Sequence, residues 1–184
     1  MLLTGLLPDI TTDPAIETAT DSVEAGRSGT IVAPVGIRPP LLAAVASRAA
    51  TPLVVLTATG RDAESLTNAL ASWIPGVAML PAWETLPHER LSPQVDTMAR
   101  RIAVLRRLVH PIKGDDSAGP LSVLVVPIRA FLQPIISGLA DLEPVRVRTG
   151  DILDLTETTN RLAELGYERV DMVEGRGQMS VRGG

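Results

Sequence analysis

Apolar residues fall along this chain in two alternating kinds of pattern. Short, nearly continuous apolar runs occur at Thr30–Pro34 (TIVAP), Leu53–Ala58 (LVVLTA), Val77–Leu80 and Ser122–Pro127 (SVLVVP). Each is predicted to be a buried strand, and the run at 122–127 is predicted to be central. Stretches with helical spacing separate them. Asp13-Pro14 reads as a helix cap followed by proline at the first helical position, with Ile16, Ala19 and Val23 on one face and Gly26 as the stop. Pro39-Pro40 opens a helix through about residue 49, after a loop at 35–38. Thr59-x-x-Asp62 starts another, with Leu66, Leu70 and Trp73 on one side. Ser92-Pro93 opens the longest helix, whose apolar stripe is Met98, Ile102, Leu105 and Val109. A short helix over 128–132 follows the fourth run and is limited by Pro134. Strands alternating with helices predict an α/β fold: a parallel sheet with flanking helices.

The pattern changes near Gly138. Glu143–Thr149 (EPVRVRT) alternates and reads as a half-exposed strand. Asp154-x-x-Glu157 starts a helix with Leu155, Leu162 and Leu165 inward and Gly166 as its stop. Tyr167–Val173 and Gln178–Arg182 read as a hairpin around Gly175–Gly177. This β-α-β-β order predicts a small α+β domain that is truncated, so the sequence reads as a fragment. Three regions result: an extension over 1–29 with one helix, an α/β domain over 30–140, and a partial α+β domain over 141–184.

Composition narrows the function classes. The 184 residues are 45% hydrophobic and 21% charged, ordinary for a globular protein. Aromatic residues are confined to Trp73, Trp83, Phe131 and Tyr167, few for a protein that stacks bases. Cysteine is absent, which excludes disulfides and thiolate metal sites. No apolar run approaches the roughly 20 residues of a membrane helix, and no basic segment precedes an apolar one at the start. Those features predict a cytoplasmic protein. Residues 1–30 hold Asp9, Asp13, Glu17, Asp21 and Glu24 against Arg27 alone, while the rest of the chain is balanced.

Candidate chemistry is sparse. The loop Ala33–Pro40 sits where a phosphate-binding loop would, but it has only Gly36, no lysine, and two prolines that remove backbone donors. Trp83, Glu84, His88, Glu89 and Arg90 cluster in one loop. Adjacent His88 and Glu89 diverge in any regular structure, and His110 could join them only through tertiary folding, so a packed and solvated loop is favoured over a metal site. Arg100, Arg101, Arg106 and Arg107 form a possible basic contact patch, weighed against a plain solvated helix face. Arg176 and Arg182 flank the expected turn of the ribbon.

The string LPAWETLPHERLSPQVDTMARRIAVLRRL, followed by SVLVVPIRAFLQPI, resembles the bacterial transcription-repair coupling factors (Mfd). The later run LAELGYERVDMVEGRGQMSVRGG fits the same family and is similar to the matching region of the excision-repair protein UvrB. The resemblance covers about residues 30–184 and implies an N-terminal UvrB-like module: a degenerate helicase-type (RecA-like) domain followed by a small UvrA-binding domain. It implies no cofactor in this stretch. ATP and magnesium would belong to a DNA-translocating motor beyond residue 184, and RNA polymerase and DNA would be met by other domains. It further implies autoinhibitory packing against the C-terminal part of the same protein. UvrB's tyrosine-rich damage-probing hairpin has no counterpart, since Leu80–Ser92 is short and lacks tyrosine. The arginine of the final Arg-Gly pair, here Arg182, is implied to contact UvrA. The other implied contacts would follow residue 184, so this stretch alone is expected to bind UvrA weakly or not at all.

Overall fold

The computed structural model describes residues 3–84 and 94–182. It is a mixed α/β structure built on a small parallel sheet. The chain enters through α1 (Leu7–Thr11) and α2 (Pro14–Glu24), then passes through a 3-10 turn, Val35–Ile37, into α3 (Arg38–Arg48). β1 (Leu53–Thr57), α4 (Gly60–Leu70), β2 (Val77–Met79), α5 (Val95–Val109), β3 (Val123–Pro127) and the short α6 (Ile128–Phe131) complete the larger unit. The sheet order is β1-β3-β2, with Val123 paired to both Leu53 and Val77. β3 is central, as its unbroken apolar run predicts, and all its residues are buried.

Side-chain alternation divides the core between the two faces of the sheet. Val123 and Val125 face Leu7, Ala43, Ala46, Ala63 and Leu70 on one side. Leu124 and Val126 face Val104, Leu121 and Ala130 on the other. Leu7 shows that the first residues are not a detached tail. They are tied down further by Arg48, which binds Asp21 and Glu24 and donates to the buried Thr20 hydroxyl. The Asp13 cap forms as expected, accepting from the N–H groups of Ala15 and Ile16. Its helix turns Ala19 and Thr20 inward, however, and leaves Val23 exposed.

Other expectations fail for lack of a partner. Residues 30–34 form no strand; Val32 is 96% exposed. Residues 143–149 form none either, and Val147 is exposed. An apolar or alternating run becomes a strand only when a neighbour accepts its backbone hydrogen bonds. Neither segment has one among the described residues. The Ser92-Pro93 helix start lies outside those residues, as do His88, Glu89 and Arg90; α5 is described from Val95.

After the turn Leu139–Asp141, α7 (Leu155–Glu164) starts at Asp154, whose side chain accepts from the Glu157 N–H at 2.8 Å. Leu162 and Leu165 are half-buried, but Leu155 is exposed. The ribbon that follows is not a hairpin. β4 (Glu168–Arg169) and β5 (Gln178–Met179) run parallel, with Glu168 opposite Gln178. The physical cause is the loop between them. Gln178 Oε1 accepts from the N–H groups of Glu174 and Gly175, and Gly177 sits at φ +81°, so the chain doubles back before pairing.

Candidate interaction surface

Two constellations hold the residues singled out from the sequence. The first is the joint between β2 and α5. Trp83 is clasped by Gln133, whose Oε1 accepts from the Trp83 N–H at 2.8 Å and whose Nε2 donates to the Trp83 carbonyl. The guanidinium of Arg101 lies 4.4 Å from the centre of the Trp83 ring and donates to the Pro81 carbonyl at 2.6 Å. The Thr97 hydroxyl donates to the Glu84 carboxylate, and Arg129 donates to the Glu84 carbonyl. Burial pushes the Glu84 carboxyl up, but the bonds from Thr97 and from backbone N–H groups, with the nearby Arg129 charge, bring it below its ordinary value.

This joint explains what α5 buries. Its inward residues are Thr97, Arg101, Val104 and Leu105, whereas Met98 and Val109 are exposed. The helix is rotated relative to its apolar stripe so that Arg101 reaches Trp83. Arg101 is therefore 1% exposed, turned away from any outer face. Burial lowers its pKa. Arg106 donates to the carbonyls of Ala140 and Leu142, and Arg107 to that of Gly119. Arg100 pairs with Asp96 one helical turn before it, at 2.7 Å. Arg101, Arg106 and Arg107 thus bind the helix to its surroundings, and Arg100 is left on the outside.

The second constellation is the ribbon. The Glu168 N–H donates to the Gly177 carbonyl and the Val170 N–H to that of Met179. Past β5, the Ser180 hydroxyl and the Arg182 guanidinium both donate to the Asp171 carbonyl, at 3.0 and 3.4 Å. Arg169, Asp171, Ser180 and Arg182 help line a shallow polar groove of about 460 Å³. Arg182 is exposed at its rim.

Residues 145–184 match the family model for the UvrB interaction domain. The chain is 48% identical over 84% of its length to the transcription-repair-coupling factor of Mycobacterium tuberculosis. It is 27% identical over 78% of its length to that of Escherichia coli. The chain is homologous to one segment of the transcription-repair-coupling factors. It spans about 12% of the length of these relatives. It is also 27% identical, over 77% of its length, to UvrABC system protein B of Vibrio parahaemolyticus, spanning 22% of that protein.

In this chain, the position where a phosphate loop would lie is a 3-10 turn running into α3, with Pro39 and Pro40 in the first turn of the helix. Among the described residues, no helix is long and apolar enough to cross a membrane. Sequence reasoning missed the Trp83–Arg101 stack and the Gln133 clasp. The available signal for Arg101 was its spacing: Thr97, Arg101 and Val104 follow one helical face, upstream of which stands a lone tryptophan.

Proposed function

We propose that the segment is a protein-docking module of a transcription-coupled repair factor. The unit after about residue 140 engages UvrA through a surface that includes Arg182, and the segment performs no catalysis. ATP hydrolysis and contact with polymerase and DNA belong to other parts of the homologous proteins. The observation that carries this reading is the UvrB interaction domain match over 145–184, which ends on the ribbon bearing exposed Arg182. An exposed arginine suits a carboxylate-bearing partner, because its planar fork donates two parallel N–H bonds to the carboxylate oxygens.

The test is a titration of UvrA against a form extended past residue 184 by about 50 residues, giving the small unit a usual domain size. Arg182→Ala is expected to weaken binding about tenfold, the loss of one well-placed interface arginine. An unchanged Kd removes Arg182 from the surface, and absence of binding by the parent form removes the partner. The non-catalytic half is tested by thermal denaturation in saturating Mg-ATP. No stabilisation is expected, whereas a gain of about 2 kcal/mol or more would show a nucleotide site on the sheet.

A further inference from the structure

The ribbon does not stand free of the α/β unit. Asp96, in the first turn of α5, is shared by two arginines: Arg100 of the same helix reaches its Oδ2 at 2.7 Å, and Arg176 of the β4–β5 loop reaches its Oδ1 at 3.1 Å. Beside it, Gly177 lies so close to Val95 that a Cβ at residue 177 would come within 2.8 Å of Val95 Cγ1. Gly177 also has φ +81°, a conformation that side-chain-bearing residues adopt only at a cost. Its carbonyl accepts the Glu168 N–H, the bond that begins the parallel pairing. One dipeptide, Arg176-Gly177, therefore closes the ribbon and seats it on α5.

We infer that Arg176–Asp96 and Gly177–Val95 form a latch that fixes the ribbon in one orientation on the α/β unit and holds the ribbon folded. Two strands of this length are marginal by themselves and need something to pack against. The latch supplies that support, with an apolar seat and a charge pair next to each other. The pair is partly exposed, with 65% of the Arg176 side chain and 38% of the Asp96 side chain open to solvent. Its grip is accordingly modest and sensitive to salt. Arg100 holds the second carboxylate oxygen and keeps Asp96 aimed when Arg176 leaves, so the latch can reclose. Arg176 and Asp96 are thus positioning residues for the ribbon. Their consequence for Arg182 rests on the partner reading above; the latch itself does not.

The experiment is amide hydrogen exchange on the intact chain, reading the Glu168 and Val170 N–H groups as reporters of the ribbon and Val123–Val126 as reporters of the sheet. Arg176→Ala and Asp96→Ala are each expected to speed exchange at the two ribbon amides about twofold to fivefold, the range for a partly exposed ion pair. The double variant should be no faster than the faster single one, while the sheet amides stay unchanged in all three. Raising ionic strength from about 0.1 to 1 M, which shortens the screening length from ~10 to ~3 Å, should bring the parent chain toward the double variant. Unchanged ribbon exchange in the single variants, or fully additive effects in the double, overturns the latch. Because these readouts need no partner, failure of UvrA binding and failure of the latch are told apart.

Discussion

Replacing Arg101 by alanine is expected to lower the unfolding free energy by about 3 kcal/mol. The side chain is 1% exposed, stacks 4.4 Å from the Trp83 ring centre, and donates to the Pro81 carbonyl. A desolvated cation–π contact contributes about 2 kcal/mol and a charge-assisted hydrogen bond about 1.5 to 3 kcal/mol. Against these stands the cost of burying the guanidinium, which is why burial lowers its pKa. Its Nε has no partner among the described residues, so that cost is incompletely offset. Alanine removes both favourable contacts, leaves the Pro81 carbonyl unpaired and opens a cavity under Trp83. Methionine fills the space without the charge and should stay within about 1 kcal/mol of the parent. Urea unfolding followed by tryptophan fluorescence separates the cases. Equal midpoints for the alanine and parent forms would mean that Arg101 holds nothing. Val95 and Asp96 stand within two turns of Arg101 on α5, so the alanine form should show faster exchange in the ribbon as well.

The same arginine marks the limit of what local pattern reveals. The strands that form, β1, β2 and β3, are those whose apolar runs predict them, and the fully buried β3 is the most continuous of these. Yet TIVAP at 30–34 has the same character and stays unpaired, with Ile31 and Val32 exposed. Strand formation needs an acceptor from elsewhere in the chain, and no local sequence contains that. Helix caps at Asp13, Thr59 and Asp154 were legible because their chemistry closes within three residues. The face of α5 was not. Its stripe of Met98, Ile102, Leu105 and Val109 is a valid amphipathic pattern, but a tryptophan ring held by Gln133 gives Arg101 a better burial than water does. The four arginines read as one patch because charge in a sequence is counted without direction. Arg106 and Arg107 point to carbonyls of the following segments, and only the fold shows where those carbonyls lie. For the ribbon, its two extended stretches were legible but not their parallel sense, which depends on Gln178 capping the intervening loop.

Gly76→Val is expected to destabilise the protein by about 3 kcal/mol or more, through the backbone instead of the core. Gly76 has φ +75°, where an L-residue costs about 1 to 2 kcal/mol and a β-branched one more. A Cβ there would stand 2.9 Å from the Pro120 carbonyl oxygen and 3.0 Å from the Ser122 nitrogen. Both are main-chain atoms, so no rotamer change relieves the contact. The Gly76 carbonyl accepts from the N–H groups of Ser122 and Val123, the bonds that bring β2 into register on β3. Moving either segment to admit the side chain breaks those bonds and displaces Leu80, whose N–H donates to the Val125 carbonyl. Alanine meets the same atoms with less bulk and should cost about 2 kcal/mol. Gly60→Ala is the control: a Cβ at Gly60 meets open space at the start of α4, and its effect should lie within about 0.5 kcal/mol of zero. Equal losses at residues 60 and 76 would mean that glycine matters only through chain entropy. A loss confined to residue 76 places it at the close approach between β2 and β3, from which the chain runs on to Pro81 and the Trp83 joint.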